Sequence, residues 1–197
     1  MNNTDKEIWD NFRDGDSNAT SLIYHHNVDF LFLYGKRFTS DESLVLDVIH
    51  DLFVYIIQKR DSLGDTEDIR MYLLKAFRRR LFAEIKQQNR NNATCPDSKI
   101  EPDFAPTVEE RLISKENLSE TERELKLGME KLSAQQREIL YYRFNCDLDY
   151  SQICEIMSIS YDTARQNVSR AIQTLKKYLN NKTLLLLLML LDEEKIK

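Results

Sequence analysis

"DYSQICEIMSISYDTARQNVSR", residues Asp149 to Arg170, predicts two short helices separated only by Ser158, Ile159 and Ser160. Asp149 followed three residues later by Gln152 fits a capping box, and Ser133 with Gln136 repeats the pattern upstream. Ser160 caps the last helix, which the pattern carries to about Tyr178. Three closely spaced helices, the last two meeting at a tight turn, make a helix-turn-helix layout. At about 100° per residue, Ala164, Val168, Ala171, Ile172 and Leu175 share one stripe of the final helix. Tyr150, Ile153, Ile156 and Met157 are available to pack against that stripe, with Ile159 plugging the corner. Opposite lie Asp162, Gln166, Ser169, Arg170 and Gln173, with Thr163 and Arg165 on the flanks and Tyr161 at the helix start.

Those outward residues suit a duplex. Arg and Gln make two-pronged hydrogen bonds to guanine and adenine edges, and Ser and Thr suit bases or phosphates. A plain solvated face would expose similar groups. The tight turn, the small Ala164 and Ala171, and the lack of acid beyond Asp162 favour a helix held for entry into a major groove.

Working outward, the 197 residues suffice for one ordinary domain or two small ones, and 42% hydrophobic content is enough for a core. Only four glycines and three prolines leave little for a many-turned β-protein, so the expected class is all-α. Cys95, Cys146 and Cys154 lack CxxC or Cys/His ligand spacing and are expected to be reduced thiols in a cytoplasmic protein. The start, MNNTDKEIWD, has no apolar h-region and does not resemble a signal peptide. Leu184 to Leu191, "LLLLLMLL", would cover only about 12 Å as a helix, against a hydrocarbon core of about 30 Å. It is too short to span a membrane. Thr183 to Ile196 is expected to form a short amphipathic or apolar helix that packs against the protein itself, a regulator or another copy, or lies as an interfacial anchor.

Net charge is −5, which at first sight argues against a nucleic-acid partner, yet the charge is unevenly spread. Residues 69–90 hold seven basic and one acidic side chain, and residues 131–182 hold eight basic and five acidic. Each basic island is flanked by acid, and local clusters govern phosphate binding better than the total does.

Apolar periodicity predicts helices over Ala19–Phe38, Asp41–Arg60 and Asp68 to about Asn89, with a break at Gly64-Asp65. The middle one is apolar around most of its circumference and reads as the central helix of a bundle. The third offers Ile69, Tyr72, Leu73, Ala76, Phe77, Leu81 and Ile85 to the core. Its basic stretch "KAFRRRLFAEIKQQNR" interleaves Lys75, Arg78, Arg79, Arg80, Lys86 and Arg90 with Phe77 and Phe82, and Tyr72 precedes it. Cations with rings suit single-stranded nucleic acid, where phosphates meet charge and unstacked bases meet aromatic faces. An ordinary bundle helix with core aromatics and a cationic wet face fits equally well. In the middle helix Asp47, Asp51 and Gln58 fall near one narrow stripe with His50 beside it. That is either the wet side of a bundle helix or a docking edge for a partner's arginines. Asn91 to Thr107 contains all three prolines and reads as a linker, followed by an acidic helical stretch from Val108 to Lys131.

Taken together, these features resemble a bacterial RNA polymerase sigma factor of the extracytoplasmic-function type within the sigma-70 family, over roughly residues 19–92 and 126–180. The resemblance is most specific in "LSAQQREILYYRFNCDLDYSQICEIMSISYDTARQNVSRAIQTLKKYL", which is similar to that family's region four. In region two, "DVIHDLF" stands where the family usually has an Asp-Leu-Val-Gln-Glu-Val-Phe-like run that docks on the polymerase clamp helices. The resemblance implies two small helical domains, residues 1–92 and 126–180, joined by a flexible linker over 93–125 and followed by a leucine-rich tail over 181–197. It implies −35 duplex reading by Tyr161, Thr163, Arg165, Gln166, Ser169 and Arg170. It assigns −10 recognition and melting to Tyr72, Lys75, Arg78, Arg79, Arg80 and Lys86, and polymerase binding to Asp47, His50 and Asp51. The implied partners are core RNA polymerase through its clamp helices and flap, and promoter DNA as duplex and single strand. An anti-sigma factor is a further candidate. No cofactor, metal or catalysis is implied.

The chain departs from the family pattern in several places. Arg79 and Ala83 stand where Asn and a downstream Asp are common, and His50 replaces a usual Gln. Cys154 takes a usual Ala position as a small buried substitute. Ser158 replaces the turn's frequent glycine, so the turn either avoids the left-handed conformation or adopts it at a cost.

Other functions fit parts of the chain. A stand-alone helix-turn-helix regulator would bind duplex without polymerase, as a dimer. A metal enzyme could use His25, His26, His50, Asp47 and Asp51, but adjacent His25 and His26 point about 100° apart on a helix, and no H-x-x-x-H, P-loop or nucleophile elbow occurs. A purely structural adaptor would leave both basic islands solvated.

Overall fold

The helix that opens the fold has only three large apolar residues, Ile8, Trp9 and Phe12, and the periodicity of the sequence does not predict it. The computed structural model of the chain describes residues 4–92, 127–146 and 148–179, and places α1 at Asp5–Arg13. A reciprocal cap starts it: Thr4 accepts from the Glu7 N–H while the Glu7 carboxylate accepts from the Thr4 N–H at 3.2 Å. α2 (Ser17–Gly35), α3 (Glu42–Lys59) and α4 (Ile69–Asn92) follow, with one 3-10 turn at Arg60–Ser62. Asp16, Asp41 and Asp68 each accept a backbone N–H at a helix start, at 2.8–3.0 Å.

Every described element is helical, in keeping with the all-α expectation, and the chain divides into two units, Met1–Ile100 and Glu101–Lys197. In the first unit, Leu31 and Tyr34 of α2, Val45, Leu52 and Ile56 of α3, and Leu73, Phe77 and Leu81 of α4 are buried together. The end of α2 approaches its neighbours closely. A Cβ on Gly35 would lie 2.6 Å from the Val45 Cγ1 atom and 3.1 Å from the Phe77 ring.

α1 ties the α3–α4 connection down. Trp9 is fully buried, packs on the Tyr72 ring at 4.8 Å, and donates from Nε1 to the Gly64 carbonyl at 2.9 Å. Arg13 pairs with Asp65, and the Asp5 carboxylate accepts from the Ile69 N–H at 3.0 Å. The first turn of α4 therefore meets two carboxylates, Asp5 and Asp68, which complement its positive dipole end.

Sequence periodicity overstates α3. Rather than a central helix buried all round, it has one buried side. Leu46, Val54, Tyr55 and Ile57 remain exposed at 51%, 36%, 41% and 40% beside Asp47, His50 and Asp51. The apolar circumference includes a second face that the described helices leave largely exposed.

In the second unit, residues 127–130 are helical, and α5 (Ala134–Phe144), α6 (Tyr150–Met157) and α7 (Tyr161–Leu175) follow. Both expected capping boxes form, Ser133 with Gln136 and Asp149 with Gln152. Ala164, Val168, Ala171 and Leu175 are buried against Ile153, Ile156 and Met157, whereas Ile172, Ile159 and Cys154 are half-buried, short of the sequence expectation. Glu138 is buried and accepts a hydrogen bond from the Tyr142 hydroxyl at 2.8 Å.

Helix ends differ slightly from the periodicity. α2 stops at Gly35, α4 runs through Asn91 and Asn92, and α7 ends at Leu175. The rest of the predicted linker to Thr107, nearly all of the acidic stretch from Val108, the run Leu184–Leu191 and Cys95 lie outside the described residues.

Ser158 settles the question posed by the missing glycine. It takes the left-handed conformation, φ 55° and ψ 46°, and ends α6 with its N–H on the Cys154 carbonyl. A non-glycine residue there costs roughly 1–2 kcal/mol. Replacing Ser158 by glycine is therefore expected to stabilise the C-terminal unit by about 1 kcal/mol, net of the added unfolded-state freedom. Thermal unfolding should register a midpoint higher by a few degrees. An unchanged or lower midpoint would show that the turn is not strained.

Candidate nucleic-acid interface

α7 is presented by its own cap and turn. Ser160 accepts from the Thr163 N–H at 3.2 Å, so the first turn is closed by a serine rather than by a side chain from its outer face. The buried stripe clamps one side to α5 and α6. Tyr161, Thr163, Arg165, Gln166, Ser169 and Arg170 are all exposed on the other. All six predicted residues are thus exposed, spread over the side of α7 away from its buried stripe. Tyr161 leans edge-on against Tyr150 of α6 at 5.5 Å, and Arg143 lies over the Tyr150 ring at 5.7 Å. Arg143 also donates from Nη1 to the Leu148 carbonyl at 3.0 Å, fixing the α5–α6 connection that sets the angle of the reading helix.

In the N-terminal unit the predicted residues of α4 separate. Lys75, Arg79 and Lys86 are exposed, while Tyr72, Arg78 and Arg80 are half-buried. Phe77 is fully buried and serves the core rather than a ligand. The Arg78 guanidinium sits 4.5 Å from the Phe82 ring centre, and Phe82 itself packs against Phe38 at 5.0 Å. Arg80 turns toward α3 and stacks over Tyr55 at 4.4 Å. Burial pushes the Tyr72 phenol above its ordinary value, the neighbouring Tyr55 adds to the rise, and Arg79 partly offsets it. Arg90 lies where side chains are not described.

Tyr55 is the ring that reasoning along α4 misses. It comes from α3, four residues after Asp51, and only packing of the two helices brings it beside Arg80. The i, i+4 spacing from Asp51 places it on the exposed face of α3, but nothing in local sequence links it to the arginines.

On α3, Asp47, His50 and Asp51 are exposed among Leu46, Val54 and Ile57, so a mixed acidic and apolar surface is available there. Among the described residues no group of three or more His, Cys, Asp or Glu side chains is arranged to hold a metal ion. His25 and His26 are both exposed on α2. No described helix is long and apolar enough to cross a membrane.

Residues 122–175 match the family described as sigma-70, region 4. No curated protein matches the chain by sequence. Among solved structures, CnrH in complex with the cytosolic domain of CnrY is similar, with a TM-score of 0.59 and 14% identity over 89% of this chain and 96% of that one. The sigma factor RpoE from Bartonella quintana, solved with the anti-sigma factor NepR, gives a TM-score of 0.54 and 16% identity. That match covers 80% of this chain and 94% of RpoE. At such identities these two likenesses establish the fold alone. Residues 122–175 of this chain therefore match sigma-70 region 4, and the chain shares the fold of CnrH and RpoE.

Proposed function

We propose that this chain is a transcription initiation factor of the extracytoplasmic-function type, which binds core RNA polymerase and directs it to specific promoters. The observation that carries this most is the single exposed face of α7, with Arg165, Gln166, Ser169 and Arg170 held outward on a region 4 scaffold. That face enters the major groove of the −35 duplex, where Arg and Gln read base edges and Tyr161 and Thr163 meet the adjoining backbone or bases. Lys75, Arg79 and Lys86, with Tyr72, Arg78 and Arg80 beside them, line the path of the separating −10 strands. The protein makes no bond. It stabilises the open state by binding single strands better than it binds the closed duplex.

Asp47, His50 and Asp51, set among exposed Leu46, Val54 and Ile57, form the surface offered to the polymerase clamp helices. Apolar area supplies affinity there, and the carboxylates select cationic partners. RpoE was solved with an anti-sigma factor. An anti-sigma factor is a fitting partner of this chain too.

Run-off transcription with core polymerase on genomic fragments tests the proposal. Start sites sharing two spaced sequence elements are expected. If the chain instead binds duplex by itself and never engages polymerase, it is a stand-alone regulator. Reversing charge with Asp47→Arg and Asp51→Arg together is expected to weaken capture of core polymerase by about tenfold or more, because like charges would then face across the interface. Equal capture by the variant in a pull-down would remove α3 from the docking surface.

A further inference from the structure

We infer that Tyr55 of α3 is a stacking platform for an unpaired base, completed by the guanidinium groups of Arg79 and Arg80 from α4. This deepens the function proposed for α4 and rests on it, but it moves the aromatic part of the site onto another helix.

The reasoning is one of elimination among rings. Single-strand binding needs an accessible π-face beside cations. Phe77 is fully buried. Phe82 has Arg78 over it and Phe38 against it. Tyr72 is half-buried and packed against Trp9 at 4.8 Å. Tyr55 also carries an arginine, Arg80, over its ring, but it is still 41% exposed where Phe82 and Tyr72 are half-buried, and it sits at the boundary of α3 and α4.

Its surroundings fit the chemistry. The Arg80 guanidinium carbon lies over the ring, 4.4 Å from its centre, in cation–π contact. Among the described residues, Arg80 Nε is buried without a hydrogen-bond partner, and neither Arg79 nor Arg80 pairs with a carboxylate. With no described carboxylate paired to it, Arg80 can aim N–H groups at a phosphate oxygen. Arg79, one residue earlier, is exposed and would add charge for a neighbouring phosphate. A nucleotide would thus place its base on the open part of Tyr55 and its phosphate within reach of Arg80, with exposed Arg79 nearby.

The test uses the chain bound to core polymerase on a forked duplex taken from a promoter mapped by run-off transcription. The fork carries 5-iodouracil at successive unpaired positions. Irradiation is expected to cross-link one position to Tyr55, identified by peptide mass. Tyr55→Ala should weaken binding to the fork by about tenfold, in line with roughly 1–3 kcal/mol for one base stack. Tyr55→Phe should bind like the parent, and the fully paired promoter should be held equally by all three. Tyr55 lies on an exposed face, and far-UV circular dichroism of the variant checks that the fold is intact.

The outcomes separate cleanly. If Arg79→Ala weakens fork binding while Tyr55→Ala does not, α4 contacts the strand and the stacking assignment is wrong. If neither variant changes fork binding, both the assignment and the single-strand role of α4 are wrong. If the chain never associates with polymerase, the proposed function fails and the stacking site fails with it.

Discussion

Replacing Trp9 by alanine is expected to destabilise the N-terminal unit by about 3–5 kcal/mol, the range for removing a fully buried large aromatic. Trp9 has no exposed surface, so little of the cavity can be filled by solvent-side relaxation. Two further losses follow from its position. The Gly64 carbonyl gives up the indole donor at 2.9 Å, and Tyr72 loses the ring it packs on. Because α1 also supplies Asp5 to the start of α4 and Arg13 to Asp65, loosening it should free the whole connection between α3 and α4. Chemical denaturation of the purified variant gives the free energy. Hydrogen exchange should show protection falling first at Ile69 and Met71, whose N–H groups are held by Asp5 and Asp68. A loss below about 1 kcal/mol would mean that α1 is an accessory rather than part of the core.

The second large effect concerns promoter selection. Arg165→Ala and Arg170→Ala are each expected to cost roughly 1–3 kcal/mol of discrimination if the guanidinium reads a base with two hydrogen bonds, a factor of about 5 to 150. Both side chains are exposed and neither belongs to the buried stripe, so the fold should be unaffected. The informative comparison is transcript yield from a mapped promoter against the same promoter with its upstream element scrambled. The parent should favour the intact promoter strongly, and the variants should lose that preference. A uniform fall on both templates would place these arginines on phosphates instead, where they add affinity without reading sequence.

Much of the C-terminal unit was legible from residues alone, for a local reason. Capping boxes act over three residues, and the small stripe of Ala164, Val168 and Ala171 repeats at helical spacing. Both signals therefore survive without knowledge of any distant partner. The outward set on α7 followed from the same geometry. The N-terminal unit was less readable. α1 has too few apolar residues for a periodic signal, although its Thr4–Glu7 capping box was present and could have marked it. α3 looked central because composition records how apolar a helix is and not whether a neighbour covers it.

Sequence by itself therefore determined the helical class, the two capping boxes, the Ser160 cap and the outward residues of α7, whereas only the structure decided that Ser158 turns left-handed. Tertiary structure alone decided which rings of the N-terminal unit are open and which arginines are stacked. It also decided that Tyr55 and Arg80, 25 positions apart, lie together. The physical reason is range: hydrogen-bonded turns and helical faces depend on neighbours three or four residues away. Exposure of a side chain and the pairing of helices depend on surfaces that meet only after the chain has folded.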